Sequence, residues 1–270
     1  MLRKVFVITL ISSLFFASCR QESSHTQENT KEDQPPTESF RQLTIKVLRE
    51  IPHGGDKRYT QGFEIYKGVL YESTGLENRS SLKKIDLASG ELIQSKDLSG
   101  FFAEGLTIMN DYITLISYRE KKAFSYNTED FSEKNINFTY ETEGWGLSNN
   151  GSQLIMSDGS DKIYFRSPFT FKIEKTIHVK LKGRPIYYVN ELEYVNGKIY
   201  ANVYGSRNII VINENTGQVE AEINASSIFC SQISGSNPEA VLNGIAFNPE
   251  TNTFFITGKE CPYIFEVVFE

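Results

Sequence analysis

The sequence predicts an all-β chain, a five-bladed β-propeller, and three observations carry that reading. A short step recurs as Gln61-Gly62-Phe63, Glu104-Gly105-Leu106, Trp145-Gly146-Leu147, Asn190-Glu191-Leu192 and Asn243-Gly244-Ile245. Its spacing is roughly 40–45 residues with one longer interval, the period of a blade made of several short strands. Between the steps, short apolar runs alternate with turn clusters such as Asp86-Leu87-Ala88-Ser89-Gly90 and Asn213-Glu214-Asn215-Thr216-Gly217, and no long helical periodicity interrupts them.

The elements follow in chain order. Leu43–Ile51 alternates apolar and polar residues, as a half-buried strand does. It lies outside the repeats, so it is expected to pair with the last blade and close the ring, which removes exposed sheet edges. The first blade is expected at 62–66, 69–73, 81–86 and 92–97. The second is expected at 105–109, 112–117, 123–127 and 134–138. The third is expected at 146–148, 153–157, 162–166 and 172–179, and the fourth at 192–195, 198–203, 208–213 and 219–223. The fifth, at 244–247, 253–257 and 263–269, is one strand short, which leaves room for the N-terminal strand. An insertion with a turn or two of helix is expected at 225–238.

Upstream of the blades, Arg3 and Lys4 precede a mostly apolar run, Val5 to Phe16, too short to read as a membrane span. The run closes as Phe16-Ala17-Ser18-Cys19, which resembles a bacterial lipobox with phenylalanine where an aliphatic residue is usual. Residues 1–19 are therefore expected to be a signal peptide, Cys19 the lipidated residue, and the protein an exported, periplasmic or outer-membrane-anchored lipoprotein. An ordinary secretory signal is the other reading. Residues 20–41 are polar, contain Pro35-Pro36 and read as a flexible tether. Residues 42–270 are assigned to the propeller.

A formal charge of −6 provides no electrostatic footprint for nucleic acid. The three histidines, His25, His53 and His178, are scattered, and no Cys-x-x-Cys or His-Glu-x-x-His spacing occurs, so no metal site is assigned. Export would permit Cys230 and Cys261 to pair, a question that spacing leaves open.

The repeats also place side chains. The first residues of the five steps, Gln61, Glu104, Trp145, Asn190 and Asn243, are expected to ring one mouth of the central channel. A second set of equivalent positions, Gly75, Tyr118, Gly159, Tyr204 and Lys259, falls at the ends of the next strands. Unlike residues at equivalent positions facing one point suggest a ligand pocket, because positions kept only for packing should resemble one another from blade to blade.

Over 59–269 the chain resembles the plant and bacterial type of glutaminyl-peptide cyclotransferase. The resemblance rests on Tyr59-Thr60-Gln61-Gly62, Leu70-Tyr71-Glu72-Ser73-Thr74-Gly75-Leu76, Glu104-Gly105-Leu106-Thr107, Glu143-Gly144-Trp145-Gly146-Leu147, Asn190-Glu191-Leu192-Glu193-Tyr194, Leu242-Asn243-Gly244-Ile245-Ala246 and Thr257-Gly258-Lys259. It implies a five-bladed propeller that cyclises N-terminal glutamine to pyroglutamate with loss of ammonia. Glu104 is then the general acid/base, and Gln61, Trp145, Asn190 and Lys259 line the substrate site; the ammonium of Lys259 also suits it to a catalytic role at the developing oxyanion. Tyr118, Tyr204 and Asn243 are added to that site from the two rings. The chain departs from the family at Tyr118 and Tyr204, where tryptophan is usual, at Tyr59, usually phenylalanine, and at Cys261, usually tryptophan.

No cofactor is expected. The expected partners are peptides or proteins with N-terminal glutamine, with no nucleic acid, with membrane contact only through the lipid, and with the chain a monomer. Two other classes use the same residues. One is a non-catalytic propeller that binds a peptide at the channel mouth. The other is a metal-dependent hydrolase built on Glu104, Glu143, Glu191 and the asparagines.

Overall fold

The structure, a computed structural model, describes residues 40–56, 58–228 and 237–270. The leader, Cys19, nearly all of the tether and Cys230 lie outside the described residues. Strand β1 (Arg41–Pro52) comes first. One antiparallel sheet holds β2 (Thr60–Tyr66), β3 (Val69–Thr74), β4 (Ser81–Asp86) and β5 (Leu92–Asp97). A second holds β6 (Ala103–Met109), β7 (Tyr112–Ser117), β8 (Lys122–Asn127) and β9 (Glu133–Thr139). A third holds β10 (Leu147–Asn149), β11 (Leu154–Ser157), β12 (Lys162–Arg166) and β13 (Ile173–His178). After the small hairpin of β14 (Lys180–Leu181) and β15 (Arg184–Pro185) come β16 (Val189–Val195), β17 (Lys198–Val203), β18 (Asn208–Asn213) and β19 (Val219–Asn224). A 3-10 turn at Ser226–Ile228 precedes β20 (Leu242–Asn248), β21 (Thr253–Gly258) and β22 (Tyr263–Phe269).

The expected N-terminal strand does pair with the end of the chain, and it does more. Its first residues run parallel to β19, from Arg41 opposite Ala221 to Thr44 opposite Asn224. The rest runs antiparallel to β22, from Ile45 opposite Phe269 to Pro52 opposite Tyr263. One strand thus joins a four-stranded group and a three-stranded group into an eight-stranded sheet, in the order β16-β17-β18-β19-β1-β22-β21-β20. The expectation had β1 completing only the last group.

Local chemistry sets the hairpins. Lys67-Gly68, Asn110-Asp111 and Asn196-Gly197 each place both loop residues at positive φ. That is the two-residue turn whose twist matches paired strands. The β14–β15 hairpin was not foreseen. Its strands are two residues each, too short for any periodicity to register.

The first strands of the five groups touch in a closed cycle, β2 to β6, β6 to β10, β10 to β16, β16 to β20, and β20 back to β2. Polar bonds rather than a shared ladder link them. Ser73 Oγ donates to the Glu104 carbonyl, Gly105 N to the Trp145 carbonyl and Ser157 Oγ to the Asn190 carbonyl. Gly244 N donates to Asn202 Oδ1, and Asn243 Nδ2 to the Thr60 carbonyl. The approach is close because a Cβ on Gly62, Gly105 or Gly146 would lie 2.3, 2.3 or 2.1 Å from neighbouring backbone atoms. Where the step carries Glu191 instead of glycine, its buried Oε2 accepts from Ile245 N at 2.8 Å.

Apolar residues between the groups form the core. Leu82, Leu106, Ile113 and Tyr126 pack in one cluster, and Ile163, Phe165, Leu192 and Ile210 in another. A charged knot lies among them where the end of β1 meets β2 to β4. Glu72 Oε1 lies 3.2 Å from His53 Nε2, and Glu72 Oε2 accepts from Lys83 Nζ at 3.1 Å. Thr60 Oγ1 adds a bond to Glu72 Oε1 at 2.6 Å. The His53, Glu72 and Lys83 side chains are all buried.

Candidate active site

The inner strands are bulged at the recurring step. Register shifts fall between Thr60 and Gly62, Ala103 and Leu106, Val189 and Leu192, and Leu242 and Ile245. A bulge re-aims the extra residue away from the ladder, and Gln61, Glu104 and Asn190 are those extra residues. β10 begins after Trp145 instead. There Trp145 N donates to the Ser157 carbonyl and Gly146 N to Ser157 Oγ, which fixes the indole's backbone.

These four residues line one cavity of about 280 Å³, together with Tyr118, Tyr204 and Lys259 from the second ring. The sequence brought seven of its eight site residues to one place. Asn243 is the exception: it does not line the cavity. It is buried beneath the cavity, and its Nδ2 donates to Gln61 Oε1 at 3.2 Å as well as to the Thr60 carbonyl at 2.9 Å. Gly244 beside it sits at φ +120° against Thr257 and Thr60; the Asn243 amide nitrogen is given to β2, while its Oδ1 is buried with no partner among the described residues. Asn243 therefore supports Gln61.

Three lining residues were not chosen from sequence. Tyr59 and Phe102 stand two positions before Gln61 and Glu104, a repeat signal that was available. Glu239 lies in the connection between β19 and β20, where no periodicity could point to it.

The aromatic side chains make a collar. Ring centroids run from Tyr59 to Phe102 at 6.3 Å, Phe102 to Tyr118 at 5.7 Å, Tyr118 to Trp145 at 6.5 Å and Trp145 to Tyr204 at 6.1 Å. Lys259 closes the circle, with Nζ 4.6 Å from the Tyr59 ring centroid and 5.2 Å from that of Tyr204. An ammonium over two such faces is held by their quadrupoles. The two glycines of the second ring make room for the collar. A Cβ on Gly75 would meet Phe102 at 2.3 Å, and one on Gly159, at φ +77°, would meet Trp145 at 2.5 Å. Gly159→Ala should therefore displace the indole. Trp145 is the only tryptophan, so its fluorescence maximum should shift, and kcat/KM should fall by up to about 10²-fold, the cost of misplacing a positioning group.

Glu104 is 5% exposed and makes no hydrogen bond through its side chain among the described residues. Burial pushes its carboxyl well above the usual range. Lys259 opposes that shift, while Glu143 and Glu120 add to it. Burial likewise lowers Lys259, against the pull of Glu104 and Glu239. Asn190 Oδ1 is buried with no partner among the described residues, an acceptor waiting for a donor. Trp145 Nε1 donates to Glu143 at 3.2 Å. Glu143 is thereby tied to the indole and Glu191 to backbone amides. Among the described residues no three His, Cys, Asp or Glu side chains are grouped to hold a metal.

A buried carboxyl held well above its ordinary range, an ammonium beside it and an aromatic wall define an acid–base enzyme acting on a small, largely uncharged group. The comparisons narrow that class. The sequence profile described as glutamine cyclotransferase matches residues 15–269, and the chain belongs to that family. The glutaminyl-peptide cyclotransferase of Arabidopsis thaliana is 34% identical over 234 residues, 85% of this chain and 72% of that protein. The crystal structure of Myxococcus xanthus glutaminyl cyclase superimposes with a TM-score of 0.79 at 34% identity, covering 86% of this chain and 99% of that one.

Proposed function

We propose that the protein is a glutaminyl-peptide cyclotransferase, an acyltransferase that converts N-terminal glutamine of peptides or proteins to pyroglutamate and releases ammonia, with Glu104 as its general acid/base. One observation carries the assignment of Glu104. It is a buried carboxyl with a raised pKa, uncommitted to any neighbour, in the pocket of a chain of this family. The α-amine, with an ordinary pKa of about 7.7–8.0, is partly neutral at physiological pH. Its nitrogen attacks the γ-carboxamide carbon, and the new C–N bond closes the five-membered ring. Glu104 takes the proton released by the amine. It then delivers a proton to the carboxamide nitrogen as the old C–N bond breaks and ammonia leaves. One carboxyl serves both nitrogens because they flank the same tetrahedral carbon. Lys259, or the amide of Gln61, stabilises the oxygen that gains charge. The unpaired Asn190 Oδ1 accepts from the substrate's amide or amine, and Trp145 holds the glutamine side chain folded for attack.

The test is ammonia and pyroglutamate formation by the purified chain from a short Gln-initiated peptide. A folded protein that binds the peptide without turning it over would favour the binding-module reading instead.

The closed cycle of first strands supports reading the sheets as five blades, with β1 completing the fifth. We further propose that residues 1–19 direct export and that Cys19 takes the lipid of a periplasmic or outer-membrane-anchored lipoprotein. The mass of the mature N-terminus should then show a diacylated cysteine. A mature chain that still begins at Met1 would overturn this.

A further inference from the structure

We infer that Glu239 forms a subsite for the residue that follows the substrate's glutamine and selects a cationic side chain there. This rests on the cyclase reading above. The cavity, about 280 Å³, lies just under the range of about 300–1,000 Å³ usual for small-molecule pockets and suits a single amino-acid residue. Once the glutamine is inside with its α-amine at Glu104, the rest of the peptide must leave across the rim.

Glu239 stands on that rim. It is exposed, yet it lines the same cavity as the buried Glu104 and Lys259. One oxygen anchors it, with Oε2 accepting from the Tyr59 hydroxyl at 2.7 Å and from the Tyr204 hydroxyl at 3.3 Å. The other oxygen, Oε1, has no hydrogen-bond partner among the described residues. The backbone is fixed too, with Glu239 N donating to Asn237 Oδ1 and Val241 N to the Glu239 carbonyl. The result is a carboxylate that is held in place and still has an acceptor to offer.

Charge accounting fits the same ligand. With Glu104 ionised, as the proposed reaction requires, Glu104, Glu239 and Lys259 carry one excess negative charge. Arg119 does not offset it, because it lies 3.7 Å from Glu143. A lysine or arginine after the glutamine evens the balance, whereas an acidic residue worsens it.

Competing turnover of Gln-Lys-, Gln-Ala- and Gln-Glu-initiated peptides of equal length tests this. At low salt, kcat/KM should fall in that order, with about a five- to tenfold span for a favourable and an unfavourable exposed charge contact combined. The span should shrink as salt screens it. Glu239→Gln should flatten the order and Glu239→Lys should reverse it. Each ratio is taken within one protein, so differences in active fraction cancel. If Glu239→Gln slows all three peptides equally, the residue only holds the tyrosines and the subsite is overturned. An order that survives both variants also overturns it. Absence of turnover from every peptide would overturn the cyclase reading itself, and the subsite with it.

Discussion

Glu104→Gln is expected to lower kcat/KM on a Gln-initiated peptide by about 10²–10⁴, the usual worth of general acid–base help. Glutamine fills the same space and can hydrogen-bond to the substrate, but it cannot exchange protons at the required pH. Because Glu104 has no hydrogen bond of its own to lose among the described residues, the fold should stay intact. The thermal transition should move little, so the loss can be read as chemistry. The pH profile provides an independent check. Burial raises the Glu104 carboxyl well above its ordinary 4.5. A base must be ionised, so activity in the parent should fall on the acid side through a pKa above the normal carboxylate range. That limb should vanish from the residual activity of the variant. Activity close to the parent's would remove Glu104 from its role.

Glu72→Gln should cost about 3–5 kcal/mol of stability, the usual consequence of removing one partner of a buried ion pair. Lys83 would lose this buried ion pair and His53 its contact with the carboxylate. Equilibrium unfolding in urea measures this. The pH dependence has a definite sign. Burial alone would raise Glu72, but His53, Lys83 and the Thr60 bond outweigh it and hold the carboxyl at about 2. A folded value below the ordinary 4.5 means that the contribution is complete above that pH and is lost as pH falls toward 2. The parent should therefore lose stability through that window more steeply than the variant. Equal slopes would show that the knot does not hold Glu72 ionised. Its effect should also reach the site, since Thr60, which bonds Glu72, directly precedes Gln61.

Much of this was legible because repetition places unlike residues at like positions. Gln61, Glu104, Trp145 and Asn190 are an acid, an indole and two amides, yet one register brought them to one cavity. Register does not carry orientation, which is why Asn243 was misplaced. A glycine at φ +120° and a neighbouring sheet's carbonyl decide where that side chain goes. Glu239 was invisible for the opposite reason. It belongs to no repeat, and only the fold lays it against Tyr59 and Tyr204. The charged knot escaped notice because His53, Glu72 and Lys83 sit on separate elements and look like ordinary surface residues of alternating strands. The strands themselves were mostly found to within two residues, since alternation and turn chemistry are local.

The double pairing of β1 has a consequence for biosynthesis. Thr44 and Glu270 exchange backbone bonds at 2.7 and 3.0 Å across almost the whole described chain. The first strand made is thus among the last to find its partners. Until 219–224 and 263–269 have been synthesised, both its edges remain open to any other chain. Closing so long a loop adds little thermodynamic cost, only about 0.6 kcal/mol per doubling of its length. Time is the larger burden, because pairing across such separations is slow. β1 and β22 act as one clasp, so a cut within either strand is felt at the other.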